Sequence, residues 1–200
     1  MSETATHGTD SKPGRRPGRP RSSEATAAVL DAAYRLSATH GLRGATIQAI
    51  AEASGVSKMT IYKWWDNRLH LLVDAFLRKA SQTLPLSSEG SPIEIIYAHA
   101  SRYVQELGGD LGRVQLAVLA ECLAETGDSR LFVERYLSIR RDLGVAVIER
   151  GQTSGAIQST RPAHALYDQI YGTIFYRSQF GLDGLDQRFV RSLVDVTFAH

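Results

Sequence analysis

The stretch SGVSKMTIYKWW, residues 54–65, concentrates hydroxyl, phenol and ammonium groups beside the two tryptophans of the chain. Groups of these types donate hydrogen bonds to phosphate oxygens and to the edges of bases. Their density in one short segment predicts an interface with double-stranded DNA. The polar side chains that we expect to face outward are Ser57, Lys58, Thr60, Tyr62 and Lys63.

Helical geometry separates the two tryptophans from the polar residues. At about 100° per residue, Trp65 falls near Ile61, whereas Met59 and Lys63 fall roughly opposite. We therefore expect Trp65 to close a small core. Trp64 is expected to be half-buried at the rim of the DNA-binding side.

The residues before this helix predict a sharp turn. Gly55 suits the left-handed exit of a preceding helix, and Ser57 suits the N-cap of the next one. Val56 and Ile61 have the spacing of a hydrophobic staple across that cap. A helix stop, a short turn and a stapled start together indicate a helix-turn-helix.

In such a motif the second helix enters the major groove of B-DNA, which is about 12 Å wide. In that position we expect Lys58 to donate to guanine and Thr60 to contact a thymine methyl group. Lys63 and Tyr62 are expected to bind phosphates. The alternative is that these side chains are solvated on a surface helix that has no partner.

Composition and charge restrict the class of protein. The 200 residues are 43% hydrophobic, as in chains that bury a core, and the single cysteine, Cys122, excludes an intrachain disulfide. No apolar run approaches the roughly 18 residues of a membrane-spanning helix, so a soluble cytoplasmic protein is expected. Residues 1–80 carry five more basic than acidic side chains and residues 81–200 three fewer, which favours a polyanion partner for the first part.

Apolar residues recur at helical spacing almost throughout, and no segment alternates as a strand does. The breaks coincide mostly with glycine and proline. The predicted helices span 23–41, 46–55, 57–65, 67–84, 92–107, 111–125, 129–151, 162–181 and 186–199.

The segment ATIQAIAEASGVSKMTIYKWWDNRLHLL, within residues 24–77, resembles the DNA-binding segment of the TetR family of transcriptional regulators. Shared features are a Thr that opens the second helix, the pattern A-x-x-x-G-V-S, a Thr followed by an aliphatic residue and Tyr, and an aromatic pair. The sequence departs from the family at Trp65, usually Phe, and at Arg68, usually Lys. The positions that the resemblance assigns to DNA, several of them through phosphates, are Thr46, Ser57, Thr60, Tyr62 and Arg68.

Basic residues also crowd the segment GRRPGRPR, residues 14–21, which partly resembles the core of an AT-hook. Pro17 stands where an AT-hook usually has Arg. We expect a flexible arm that neutralises phosphates without reading sequence; the alternatives are minor-groove reading and a solubilising tail. The basic side chains concerned are Arg15, Arg16, Arg19 and Arg21.

The segment 164–180 is apolar on nearly every side, which a helix on a protein surface cannot be. With the segment 186–199 it is expected to form a four-helix interface with a second copy, as in TetR-like proteins, where Gly172 permits close approach. The alternative is that both helices complete the core of the monomer. The expected interface residues are Leu166, Ile170, Tyr171, Ile174, Phe175, Phe189, Leu193 and Val196.

The middle helices carry aromatic and polar side chains that suit a mostly apolar pocket with a few polar anchors. In the TetR family a small molecule bound in this part shifts the DNA-reading heads through the fourth helix and weakens operator affinity. The alternative is that the same side chains are ordinary core. The predicted effector contacts are Tyr97, His99, Tyr103, Cys122, Phe132 and Tyr136.

Catalysis, metal binding and a cofactor are not expected, because Cys122 lies in a periodic helix and no metal-ligand spacing or phosphate-binding loop occurs. The predicted protein is an all-α, ligand-responsive repressor that binds a palindromic operator as a homodimer. An architectural DNA-binding protein without a ligand is the alternative. The expected parts are a disordered basic arm at 1–21, a three-helix helix-turn-helix domain at 22–67, and an effector-binding and dimerisation bundle at 68–200.

Overall fold

The computed structural model describes residues 23–199, which form ten α-helical segments, one π-helical turn and no strand. The predicted all-α class is confirmed. Within this range no helix is both long enough and apolar enough to cross a bilayer. The helices are α1 (Ser23–Gly44), α2 (Ile47–Ser54), α3 (Lys58–Trp64), α4 (Arg68–Thr83), α5 (Pro92–Leu107), α6 (Asp110–Thr126), α7 (Arg130–Phe132), α8 (Ser138–Thr153), α9 (Ala163–Gln179) and α10 (Gln187–Ala199).

The break predicted at the end of the first helix lies at Gly41, but one further turn follows it. Gly41 has φ 68° and ψ 174°, and the chain is helical again through Gly44. The additional turn buries Leu42 and leads directly to the cap of α2. The prediction that α1 stops at Gly41 is therefore correct for its main body only.

The helix-turn-helix forms with the predicted end chemistry, except at Trp65. Gly55 is left-handed (φ 70°) after α2, and Ser57 caps α3. Trp65 is buried as predicted, but it lies beyond α3 in extended conformation (φ −131°, ψ 129°). The prediction that Trp65 is helical was wrong. Asn67 is already the N-cap of α4, so the chain has to leave the helical conformation of α3 before that residue.

Helix α4 connects the helix-turn-helix to the rest of the chain. It packs against α1, α6 and the π turn. Its side chains therefore pack both against the helix-turn-helix domain and against the C-terminal helices. The buried ones are Leu69, Leu71, Leu72, Val73, Ala75, Phe76 and Ala80.

The core of the C-terminal part lies among α5, α8, α9 and α10. Helix α9 packs against the other three, and its residues Leu166, Ile170 and Ile174 are fully buried. Tyr171 is buried as well. The prediction that these four side chains meet a second copy is corrected, because they fill the core of their own chain, as the alternative interpretation expected.

The segment predicted as one helix over 129–151 contains a π-helical turn, Val133–Leu137, which joins α7 to α8 without a break. A π turn takes up one more residue than an α turn. Phe132 and Arg140, eight residues apart, consequently both point into the interior, whereas a regular α-helix would separate them by about 80°. Tyr136 lies between them and is also buried.

Gly55→Ala is expected to lower the free energy of unfolding by about 1 kcal/mol. Gly55 has φ 70°, and an added Cβ meets no atom within 4 Å, so the cost is backbone strain alone. Gly108→Ala is the matched control, since Gly108 has right-handed geometry (φ −74°) and a Cβ there makes an ordinary 3.8 Å contact. Urea denaturation measures both variants; equal stability of the two would contradict a left-handed turn.

Candidate DNA interface and effector cavity

The outward side of α3 consists of exposed polar and flexible side chains. Lys58, Met59, Tyr62 and Lys63 are exposed, Met59 to 85%, while Ile61 in their midst is fully buried. We call these four exposed residues the α3 outer face. Neither lysine makes an ion pair with any residue in the range 23–199. The positive charges of this face are therefore available to an external anion.

Three hydroxyl groups predicted to touch DNA lie at the starts of α2 and α3. Thr46 Oγ1 accepts a hydrogen bond from the backbone N of Ala49 at 3.1 Å, and Ser57 Oγ accepts one from the backbone N of Thr60 at 3.2 Å. Ser57 Oγ and Thr60 Oγ1 lie 2.9 Å apart. Capping uses the hydroxyl as an acceptor, so Thr46 keeps a proton to donate. The arm residues Arg15, Arg16, Arg19 and Arg21 lie outside the described residues.

The two tryptophans differ in burial as predicted, and Trp65 has a polar partner. Trp65 is 4% exposed, and its Nε1 donates to Asp74 Oδ2 at 2.8 Å. Trp64 is half-buried and lies edge-to-face on Trp65, with 5.9 Å between ring centroids. Arg135, from the π turn, places Nη1 2.9 Å from both oxygens of Asp74. One carboxylate therefore joins the helix-turn-helix to the π turn.

Arg68, which the resemblance assigns to DNA, is held within the protein. Its Nη1 donates to the carbonyl of Leu42 at 2.8 Å. Its Nη2 pairs with Glu121 and lies 3.7 Å from Glu125, both on α6. Arg68 thus ties the start of α4 to the end of α1 and to α6, and this arrangement directs it away from an external phosphate.

A cavity of about 400 Å³ lies among α5, α6, α8, α9 and the π turn. Its wall is mostly apolar, and four of the predicted effector contacts are part of it. Those four are His99, Tyr103, Phe132 and Tyr136. Two lining residues, Tyr171 and Phe175, were predicted at a dimer interface instead. Other lining residues were not predicted as part of any site, among them Gln115, Arg140, Tyr167 and Asp168.

Two predicted effector contacts, Tyr97 and Cys122, do not line this cavity. Tyr97 is half-buried beneath the guanidinium of Arg191, whose Cζ is 3.5 Å from the ring centroid. Cys122 is fully buried in α6, where burial, with a smaller effect of Glu125, raises the pKa of its thiol. A raised pKa keeps the thiol neutral and unreactive. Among residues 23–199 no group of three or more His, Cys, Asp or Glu side chains is placed to hold a metal ion.

Arg140, which no sequence pattern indicates, is 8% exposed in the cavity wall. Its Nη2 donates to the carbonyl of Leu84 at 2.5 Å and to Nε2 of His99 at 2.7 Å. His99 Nδ1 lies 2.6 Å from the hydroxyl of Tyr171. Burial, and then the charge of Arg140, lower the pKa of His99 to about 3. The ring is therefore neutral at pH 7 and accepts from the guanidinium.

An apolar surface remains on the outside of α9 and α10, which pack against each other. Tyr176 and Phe180 are 59% and 69% exposed, and their ring centroids lie 5.0 Å apart. Val196 is 60% exposed, and Phe189 and Leu193 are half-buried. These five residues form what we call the α9–α10 outer face. Three of the predicted interface residues belong to it.

A helix-turn-helix with a cationic outer face, joined through α4 to a helical part that contains a cavity, defines a DNA-binding regulator of transcription. Residues 29–75 match the family model described as bacterial regulatory proteins, tetR family. Residues 89–197 match the model described as tetracyclin repressor-like, C-terminal domain. The chain belongs to the TetR family of transcriptional regulators, which confirms the resemblance seen in its sequence.

Individual relatives agree with this family. YdeS of Bacillus subtilis (strain 168), an uncharacterized HTH-type transcriptional regulator, is 35% identical over 182 residues, which cover 88% of this chain and 89% of YdeS. The crystal structure of the TetR family transcription regulator SCO0332 has a TM-score of 0.77 at 24% identity, covering 88% of this chain and 98% of that one. AibR, solved with isovaleryl coenzyme A and operator DNA, has a TM-score of 0.55 at 19% identity, covering 88% and 98%. The two solved structures show that the fold is shared.

Mild acidification is expected to destabilise the protein through His99. The folded-state pKa of about 3 lies below the ordinary value, which is about 6.5, so the unfolded chain takes up a proton that the folded chain does not. The free energy of unfolding is expected to fall as the pH drops below 6.5 towards 3, and His99 accounts for about 2 kcal/mol of the loss at pH 5.

Urea denaturation at pH 7 and pH 5 measures this loss. His99→Gln is expected to reduce it by the His99 share, because Gln does not titrate. His164→Gln, at an exposed site, is the control and should show the same loss as the wild type. A loss that persists in full in His99→Gln would contradict a buried neutral imidazole.

Proposed function

We propose that this regulator is a ligand-responsive repressor, which binds a near-palindromic operator as a homodimer and is released by a small-molecule effector. The observation that carries the proposal is the α3 outer face, where two lysines that form no ion pair within residues 23–199 project beside exposed Met59 and Tyr62. The side chains of such a surface can donate to phosphates and to base edges. The buried Ile61 packs the opposite side of α3 against the small core.

Within this proposal the contacts divide into two kinds. Lys58, near the start of α3, reads a base edge, since lysine donates to the acceptors of guanine. Tyr62, Lys63 and Thr46 hold phosphates and set the register of the helix on the duplex. Half-buried Trp64 lies at the rim of the same surface.

A homodimer supplies the second recognition helix that a palindrome requires. The α9–α10 outer face supports this assignment because it exposes Tyr176, Phe180 and Val196 together. Exposed apolar patches of that kind commonly mark protein interfaces. In a two-fold dimer the same face of both copies would be covered at once.

The cavity supports a role for an effector because its wall is mostly apolar and it is connected to the helix-turn-helix. Leu84, at the end of α4, lies in its wall, and Asp74 on the same helix contacts Trp65. A ligand that binds more tightly when α4 is displaced would lower operator affinity by its differential binding energy. AibR, which has a similar fold, was solved with both isovaleryl coenzyme A and operator DNA, and this supports a fold that can bind a ligand as well as DNA.

Substitutions on the α3 outer face are expected to separate base reading from phosphate binding. Lys58→Ala should lose roughly 1–3 kcal/mol of discrimination at particular base pairs. Tyr62→Phe should weaken binding to all sequences alike, because only a phosphate contact is removed. Fluorescence anisotropy on an operator, recovered by sequencing the genomic fragments that the protein retains, measures both. Unchanged binding in both variants would refute this docking.

Random duplexes of equal length provide the comparison with an architectural role. A repressor is expected to prefer the operator by a large factor at physiological salt, whereas an architectural protein would show little preference. Salt titration on both duplexes measures the difference.

Val196→Glu is expected to convert the dimer to a monomer, because it buries a charge in the proposed interface. Operator affinity should fall with it, since one recognition helix reads only half of the site. Leu116→Glu is the matched control: Leu116 is an exposed apolar residue on α6, away from the α9–α10 outer face. Light scattering with size-exclusion chromatography measures the mass, and a Val196→Glu dimer would place the interface elsewhere.

A further inference from the structure

Arg140 is a buried cation in the cavity wall. Among the residues that the structure describes, no carboxylate oxygen lies within 4.0 Å of its guanidinium. The neighbouring Arg141 differs, since two of its nitrogens lie 2.8 and 2.6 Å from the oxygens of Asp168. The one acid in the cavity lining, Asp168, is therefore already neutralised by Arg141 and not by Arg140.

The hydrogen bonds of Arg140 use only one of its nitrogens. Nη2 donates to Leu84 and His99, whereas Nη1 and Nε have no acceptor within residues 23–199. An arginine has five N–H donors, and a buried charge without a counter-charge is unfavourable. The Leu84 carbonyl, at the C-terminal end of α4, offsets that cost only in part because it carries a partial charge.

Tyr171 adds a second donor to the same wall. Because Arg140 can only donate, His99 Nε2 accepts, and the remaining ring proton lies on Nδ1. His99 Nδ1 then donates to the hydroxyl of Tyr171. The phenolic proton of Tyr171 is then left to donate, and both Tyr171 and Arg140 line the cavity.

Aromatic rings form the rest of the wall. Phe132 and Tyr136 lie with ring centroids 5.0 Å apart, and Tyr167 stacks on Tyr171 at 4.2 Å. These surfaces gain from covering an apolar body. A volume of about 400 Å³ suits a ring system or a short acyl chain rather than a large ligand.

We propose that the effector is a small organic acid, whose carboxylate pairs with Arg140 and accepts from Tyr171 while its apolar body lies against the aromatic wall. This inference rests on the ligand-responsive function proposed above. The carboxylate supplies the counter-charge that the buried guanidinium lacks. Because Arg140 also donates to the Leu84 carbonyl, a carboxylate bound to the same guanidinium acts on the end of α4.

Two matched pairs of probes test the preference for charge: octanoate against octanamide, and 2-naphthoate against 2-naphthamide. Calorimetry on the full chain is expected to show at least one acid binding about tenfold or more tightly than its amide, because a charge-assisted bond is stronger than a neutral one. Arg140→Met is expected to reduce that ratio to about one. Arg150→Met, which removes an exposed arginine of the same helix, should leave the ratio unchanged.

Two further variants separate chemistry from folding. Arg140→Lys keeps the charge and should retain the preference for the acid, and Tyr171→Phe should weaken acid binding by a smaller factor than Arg140→Met. Circular dichroism checks that each variant is folded. The wild-type ratio alone is decisive if Arg140→Met does not fold.

The inference is overturned if neither acid binds, if each amide binds as tightly as its acid, or if the preference survives in folded Arg140→Met. Operator release, measured with the same probes, separates this from the proposed function. If the amides release the operator and the acids do not, the ligand-responsive repressor is retained and the proposal of an acidic effector is rejected. Acids that bind through Arg140 without releasing the operator would reject the repressor mechanism and keep the site.

Discussion

The carboxylate of Asp74 holds the DNA-binding part and the helical part in one arrangement. It accepts from the indole of Trp65, which closes the small core, and from Arg135 in the π turn. Without it a buried N–H and a guanidinium would lose their acceptor at the same time, and an unpaired buried donor is costly. The direction in which α3 projects therefore depends on a contact that α3 does not itself make.

Helix α4 is anchored at both ends by arginines that donate to backbone carbonyls. Arg68 at its start binds the carbonyl of Leu42, and the carbonyl of Leu84 at its end accepts from Arg140. Between these anchors the helix buries side chains in both cores. A closely packed helix moves as a unit rather than bending residue by residue. A displacement of α4 at the cavity would thus also move its other end, which contacts the helix-turn-helix.

Features that depend on near neighbours in the chain were predictable, and those that depend on distant partners were not. Gly55 and Ser57 act within one helical turn, so the stop and the cap follow from local chemistry. Arg68 finds acceptors 26 and 53 residues away, and no local pattern indicates them. The adjacent Arg140 and Arg141 are alike in sequence, and only tertiary packing buries the first and leaves the second half-buried in an ion pair with Asp168. The periodicity of α9 likewise predicts an apolar stripe without identifying the surface that covers it.

The π turn has a consequence for register. Arg135 and Tyr136 are consecutive residues in this turn, and the first binds Asp74 while the second lines the cavity. The extra residue of the π turn could in principle be accommodated at another position of the helix. The side chains of Arg135 and Tyr136 would then rotate about the helix axis by about 100°, whereas Phe132 and Arg140 would keep their orientation. Tyr136 therefore cannot rotate out of the cavity wall unless Arg135 also leaves Asp74. The cavity and the contact with Asp74 thus both depend on the position of the π turn.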